Sequence, residues 1–271
     1  MNVKHLKLSF EKSGKVLRVR INRPEVRNSF NEELIADYQK VFSAISKKED
    51  KDFENIRAVI LQGEGAAFCG GGDLNWMGKS LALSHEENLE DCRKLTHMFH
   101  TMDRCPVPLI ALVHGFAIGG GVGLVSVCDH VIAAEDTVFS LSEVKLGLIP
   151  ACIGPFVIGK IGVSQARSLF VSGERFKAEK AMKINLVHEI CKAEELEKKG
   201  EEVLKRMLEG GPNAIEAAKF LIHTLSRDLL KEDFSNSLEF AAGELAQLRV
   251  LPEAQEGVRA FLEKRPPNWK A

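Results

Sequence analysis

Leu6, Leu8 and Phe10 alternate with polar residues, and so do Leu17, Val19 and Ile21. A period of two puts alternate side chains on one face, so both runs read as half-buried strands. Lys12–Lys15 (KSGK) lies between them and makes the pair a β-hairpin. After Asn31 the period changes. Leu34, Tyr38, Val41, Phe42 and Ile45 recur at helical spacing, with Asn31 placed to cap the helix. Arg57–Leu61 (RAVIL) reads as a buried strand. A polar helical stretch from about His85 to Met102 follows, with a mobile loop leading into it. Then come strand Val107–Val113, a short helix to Cys128, and strands His130–Ala133 and Val138–Leu141. Strands separated by helices predict an α/β region. From about Lys192 the pattern turns helical, over Glu194–Leu208, Ala214–Leu225, Asp233–Leu248 and Pro252–Glu263. The chain therefore divides into an α/β core over 1–195 and a helical region over 196–271.

Composition narrows the class. The 271 residues are 45% apolar and 28% charged, ordinary for a globular enzyme. Lys+Arg is 37 and Asp+Glu is 38, a net charge of −1. Wholesale binding to nucleic acid or an acidic membrane gets no support from that balance. Six cysteines carry no C-x-x-C spacing, which argues against a zinc ribbon or a disulfide scaffold and fits a reducing cytoplasm. The opening MNVKHLKLSF lacks the apolar core of a signal peptide. Cys105–Cys128 is uncharged, but Pro106, Pro108 and its glycines break it into strand, turn and helix rather than a membrane span.

Glycine is the informative residue. Five of the 22 glycines lie in Gly63–Gly72 (GEGAAFCGGG) and five in Gly115–Gly123 (GFAIGGGVG). Neither cluster completes G-x-G-x-x-G: Phe68 and Leu124 stand where the last glycine is needed. Gly78-Lys79-Ser80 resembles the end of a P-loop, but Asp73 holds the opening position. Each cluster follows an apolar strand and leads toward a helix. Two backbone N–H groups converging from such loops would make an oxyanion hole for a thioester carbonyl turning into an enolate. Tight strand–helix packing is the other reading of the same glycines.

These residues resemble a known family. FCGGGDL at Phe68–Leu74 and HGFAIGGGVGL at His114–Leu124 look like the two oxyanion-loop motifs of the enoyl-CoA hydratase/isomerase (crotonase) superfamily. INRPEVRNS at Ile21–Ser29 and AFLEKR at Ala260–Arg265 match further landmarks, so the resemblance spans the chain. It implies an α/β spiral of ββα repeats with a helical C-terminal trimerisation region, as a homotrimer or a dimer of trimers. It implies an acyl-CoA thioester as substrate, with coenzyme A arriving as part of that substrate and no separate cofactor or metal. Residue by residue, the oxyanion donors would be Gly70 and Gly120. Gly70, Gly71, Gly72, Asp73 and Leu74 would line the thioester and pantetheine. Glu25, Val26 and Arg27 would cradle CoA. Phe261 and Lys264 fall where a neighbouring subunit's C-terminal helix touches the nucleotide end.

Family hydratases use two glutamates. The first position is Gly123 here and the second is Glu143, so the resemblance leaves Glu143 as the acid/base. Leu141, Val144, Leu146, Leu148 and Ile149 give it an apolar setting that would raise its pKa. DLNWM at Asp73–Met77 and SEVKLGLIPACIGPFV at Ser142–Val157 resemble the bacterial 3-methylglutaconyl-CoA hydratase branch. That substrate carries a distal carboxylate, for which Lys145 or Lys79 could be the cation. Hydration of a 2-enoyl-CoA leads. A Δ3,Δ2-enoyl-CoA isomerase using one glutamate, and a non-catalytic CoA-binding assembly protein, are the alternatives. Trp76 would pack the acyl pocket or its lid, a segment around Lys79–Glu90 would cover it, and His114 would orient the loop of the second cluster. Cys69 and Cys152 read as small buried fillers. His97 and His100 lack an apparent third metal ligand.

Overall fold

The computed structural model describes residues 1–48, 50–230, 239, 242–243, 245–247 and 249–267. The hairpin forms as the alternation predicts. β1 (Leu6–Glu11) and β2 (Val16–Ile21) pair antiparallel, with Leu6 opposite Ile21. Helix α1 (Glu32–Lys47) follows, and the Asn31 side chain accepts from Leu34 N–H at 2.9 Å. Its apolar positions Leu34, Tyr38, Val41, Phe42 and Ile45 are all buried. β3 (Ala58–Gly63), α2 (Leu74–Ser80) and α3 (His85–Asp103) come next. They are followed by β4 (Leu109–Val113), β5 (Phe116–Ile118), α4 (Gly120–Ser126), β6 (His130–Ala134) and β7 (Val138–Ser140).

Two sheets result. One has the order β1-β2-β3-β4-β6, closed at the far edge by β9 (Glu189–Cys191), and is parallel from β2 onward. The smaller sheet joins β5 to β7 in parallel and β7 to β8 (Arg175–Lys177) antiparallel. Period-two alternation explains the packing of the large sheet. Leu17, Val19, Val59, Leu61, Ala111, Val113, Val131 and Ala133 enter the main core. Their neighbours Val16, Ala58, Ile60, Ile110, Leu112 and Ile132 face a second core completed by Leu196, Val203 and Leu204 of α7 (Leu196–Leu208). Arg18 shares that second face. It is buried, and it donates to Glu11 at 2.7 Å, Gln62 at 3.0 Å and Glu197 at 2.9 Å, which fastens α7 to the strands.

Three regions depart from the sequence pattern. Leu74–Ser80 forms a short helix of its own, where no helical period is legible, because the Asp73 side chain caps it by accepting from the N–H groups of Asn75 and Trp76. The expected cover over Lys79–Glu90 is consequently short, since α3 begins at His85 behind a Ser84/Glu87 capping box. Between Pro150 and Cys191 lie α5 (Gly154–Ser172), β8, α6 (Ala178–Lys183) and β9. α5 is apolar on average and broken at Gly162, φ 75°, so no single period runs through it. α8 (Pro212–Leu230) and α9 (Pro252–Leu262) form in the helical C-terminal region as predicted. The helix expected over Asp233–Leu248 lies largely outside the described residues. Cys105–Cys128 folds into β4, β5 and α4, and no helix among the described residues is long and apolar enough to cross a membrane.

Candidate active site

The two glycine clusters are stitched together by backbone. Cys69 N–H donates to Phe116 O at 2.9 Å, Ile118 N–H to Cys69 O at 3.0 Å, and Phe68 N–H to His114 O at 3.0 Å. His114 Nε2 bonds to Gly65 O at 2.9 Å, so the loop it orients is that of the first cluster and not the second, which it precedes. Phe30 joins the clusters from a third direction. Its N–H donates to Gly71 O at 2.7 Å, its carbonyl accepts from Asp73 N–H at 2.8 Å, and its ring packs on Gly120.

Hydrogen-bond accounting corrects one donor. Gly70 N–H donates to Arg27 O at 2.7 Å, so it is spent within the chain and cannot hold a substrate oxygen. Among the described residues the N–H groups of Gly72 and Gly120 have no acceptor. The Gly72 amide is therefore open where the Gly70 amide is not, and Gly70 holds the loop against Arg27 instead. Sequence spacing alone could not separate three consecutive glycines. The signal that does so is the isolated bridge pairing Phe30 with Gly72, which turns the Gly72 amide out of the ladder.

Glu143 opens a 3-10 turn, Glu143–Leu146, after β7. Gly119 N–H is tied to Ser140 O at 2.8 Å, which brings the second cluster beside that turn. Oε1 of Glu143 lies 2.9 Å from where a Cβ on Gly119 would stand. Its Oε2 is buried and has no hydrogen-bond partner. Burial pushes the carboxyl up to about 7, offset in part by its own backbone N–H. A carboxyl poised there exchanges a proton readily near neutrality.

Gly123 lies on the buried side of α4. A Cβ there would collide with Ile153 Cγ2 and stand 2.9 Å from the Phe99 ring. The space of a first glutamate is thus filled with hydrocarbon, and Glu143, on the turn after β7, is the carboxyl beside the second glycine loop.

Asp73 has a structural environment. It is buried, caps α2, and pairs with Arg23 Nη2 at 2.8 Å. Arg23 also donates to Ser29 O, so the pair ties the FCGGGD loop to the segment before α1. Leu74 is 46% exposed at the start of α2. Glu25 and Arg27 are exposed and Val26 is half-buried, in or just after a 3-10 turn over Pro24–Val26, with the Arg27 guanidinium 5.9 Å from the Phe116 ring centre. Phe261 is exposed, and Lys264 follows the end of α9. α9 packs on α2 and the Glu143 turn of its own chain: Leu262 approaches Gly78, and the Glu253 carbonyl approaches Gly147.

The two lysines considered for a distal carboxylate point elsewhere. Lys79 is exposed and bridges Glu32 at 3.2 Å, and Lys145 is exposed beside Gly173. Trp76 is buried, with its ring near Gly72. All six cysteines are free and buried, and burial pushes the Cys69 thiol up to about 12. Among the described residues no three His, Cys, Asp or Glu side chains are grouped to hold a metal ion.

Two sheets whose glycine loops are bonded to one another, with the Glu143 carboxyl beside the second loop, define the crotonase fold class. The family model for enoyl-CoA hydratase/isomerase matches residues 11–271, so the chain belongs to that family and is an enzyme of it. An enoyl-CoA hydratase from Shewanella pealeana is 33% identical, with 99% of this chain and 97% of that one covered, at a TM-score of 0.78. An enoyl-CoA hydratase/isomerase from Marinobacter aquaeolei is 34% identical over 98% and 99%, at 0.75. An enoyl-CoA hydratase from Mycobacterium avium is 28% identical over 99% and 100%, at 0.82.

Proposed function

We propose that this enzyme adds water to a 2-enoyl-CoA thioester whose acyl group is branched and methylglutaconyl-like. The observation that carries this reading is the Glu143 carboxyl, whose Oε2 is buried and unpartnered and whose pKa is raised to about 7. The thioester oxygen would sit between the N–H groups of Gly72 and Gly120, which take up its charge as the enolate forms. Glu143 would hold the water, take one of its protons as the oxygen adds to Cβ, and pass that proton to Cα. Glu25, Val26, Arg27 and Leu74 would lie along CoA, with Phe261 and Lys264 at its nucleotide end. CoA arrives with the substrate, and the reaction calls for no other group. α8 exposes Phe220, Leu221 and Ile222, an apolar patch suited to further copies of the chain in a trimer or a dimer of trimers. We place the enzyme in the cytoplasm on the strength of its unpaired cysteines.

A second reading has one observation in its favour. With Gly123 sealed by Ile153 and Phe99, a single carboxylate suffices to move a proton from Cα to Cγ of a 3-enoyl thioester. A panel of crotonyl-, 3-methylcrotonyl-, 3-methylglutaconyl- and 3-hexenoyl-CoA separates the two. Hydration of the 2-enoyl thioesters, lost in Glu143→Gln, is the expected result. Turnover of 3-hexenoyl-CoA alone would establish the isomerase instead.

A further inference from the structure

Arg249 is a buried cation that neither the acid/base chemistry nor the oxyanion loops use. Its side chain is only 10% exposed, and Nη1 donates to Asp91 Oδ2 on α3 at 2.8 Å. Its guanidinium lies over the Trp76 ring, 5.4 Å from the ring centre. That ring also stands 3.8 Å from the Cβ position of Gly72, one of the two available oxyanion N–H groups. One indole therefore links the thioester end of the site to the arginine. The arginine's charge is also felt by the thiols of Cys92 and Cys152. Cys152 adjoins Ile153, which fills the space over Gly123. The Cys152 thiol donates to Cys92 O at 3.8 Å, and that carbonyl also accepts from Thr96 Oγ1 at 2.7 Å. Arg249 thus sits where α2, α3 and the start of α5 meet, in a wall of small polar and polarisable groups. A wholly aliphatic acyl tail gains nothing from a charge there, and a buried ion pair is weak evidence for stability.

We propose that Arg249, stacked on Trp76 and aimed by Asp91, binds a carboxylate at the far end of the acyl group, so that the enzyme prefers thioesters of short branched dicarboxylic acids. The proposal rests on the hydratase reading and names its substrate class. A guanidinium has five N–H donors in a planar fork, so the bond to Asp91 leaves its recognition geometry intact. Asp91 offsets the positive charge in the free enzyme and fixes the fork's direction.

The test compares 3-methylglutaconyl-CoA with 3-methylcrotonyl-CoA, which lacks the distal carboxylate. Wild type, Arg249→Met, Arg249→Lys and Asp91→Asn are assayed, with thermal melts as a check on folding. Losing a charge-assisted contact should lower kcat/KM for the dicarboxylic substrate about 10- to 100-fold in Arg249→Met, mostly through KM. The monocarboxylic substrate should hold its value or improve. Arg249→Lys should recover part of the loss. Asp91→Asn keeps an oxygen to aim the guanidinium but not the charge that competes for it, so it should lower KM for the dicarboxylic substrate alone. An equal fall on both substrates in Arg249→Met and Asp91→Asn would reduce the pair to a helix latch and overturn the proposal. Wild type that hydrates only the monocarboxylic thioester overturns it too, together with the methylglutaconyl-like acyl group, while leaving hydration of a 2-enoyl thioester in place. If wild type hydrates neither, the hydratase reading fails. Calorimetry with glutaryl-CoA against butyryl-CoA then decides the binding claim: tighter glutaryl-CoA binding, lost in Arg249→Met, sustains it, and equal binding overturns it.

Discussion

Oε1 of Glu143 lies 2.9 Å from the point that a side chain on Gly119 would occupy. Gly119 has φ 50° and ψ −115°, a conformation that side chains rarely adopt. One residue therefore both turns the second glycine loop and makes room for the carboxyl. Gly119→Ala should cost about 1–3 kcal/mol in backbone strain. It should also displace the carboxyl, so that kcat falls well beyond what the drop in melting temperature explains. A variant with wild-type kcat would disconnect Gly119 from the site.

Glu143→Gln should lower kcat by about 100- to 10,000-fold, the usual range for losing a general acid/base. In the wild type, kcat/KM should climb with pH toward about 7, as the carboxylate that holds the water forms. That inflection should vanish in the variant, and an inflection that persists would belong to another group.

The same carboxyl leaves a mark on stability. Its pKa is raised on folding from 4.5 to about 7, so between those values the native state keeps a proton that the unfolded chain has lost. Its stabilising contribution is full below 4.5 and drains away as pH rises to about 7, by roughly 3 kcal/mol in all. Glu143→Gln should therefore gain stability relative to wild type across that interval and hold the gain above it. Denaturant melts at pH 4.5, 6 and 8 measure this, and a constant difference would contradict the burial.

Gly123 marks the place where a first glutamate is sterically shut out. Gly123→Ala should destabilise by about 1–3 kcal/mol through contact with Ile153 and Phe99. Adding Ile153→Ala should recover part of that loss, because the two substitutions share one space. Strictly additive melts would show that the contact does not limit the fold.

Arg23 and Asp73 form an ion pair with side-chain exposures of 10% and 5%. Arg23→Met leaves a buried carboxylate unpaired and should cost about 3–5 kcal/mol. Because Asp73 also caps α2 and follows Gly72, activity should fall along with stability. Asp73→Asn keeps an oxygen for the cap and should be milder on both measures, by melting and by kcat.

Much of this was legible in the chain. Alternation in Leu6–Phe10 and Leu17–Ile21 predicts β1 and β2, and the spacing from Leu34 to Ile45 predicts α1 with its cap at Asn31. These are local periodicities, and the fold keeps them. Elements set by tertiary context were not legible. α2 hangs on the Asp73 cap, and Asp73 is held by Arg23, far away in sequence. α5 is apolar on average and broken at Gly162, so it carries no clean amphipathic stripe.

The site divides in the same way. The sequence by itself carried the order of strand, loop and helix around each glycine cluster, and its resemblance to the crotonase motifs implied that the two loops and Glu143 would meet. Only the tertiary structure decided which N–H groups are available. A backbone donor's availability depends on whether another segment of chain accepts from it, and the Arg27 carbonyl claims Gly70 while leaving Gly72. Only the tertiary structure passed over Lys79 and Lys145 and brought Arg249 to Trp76. Burial and ion pairing come from segments distant in sequence, and composition cannot tell a solvated cation from an enclosed one.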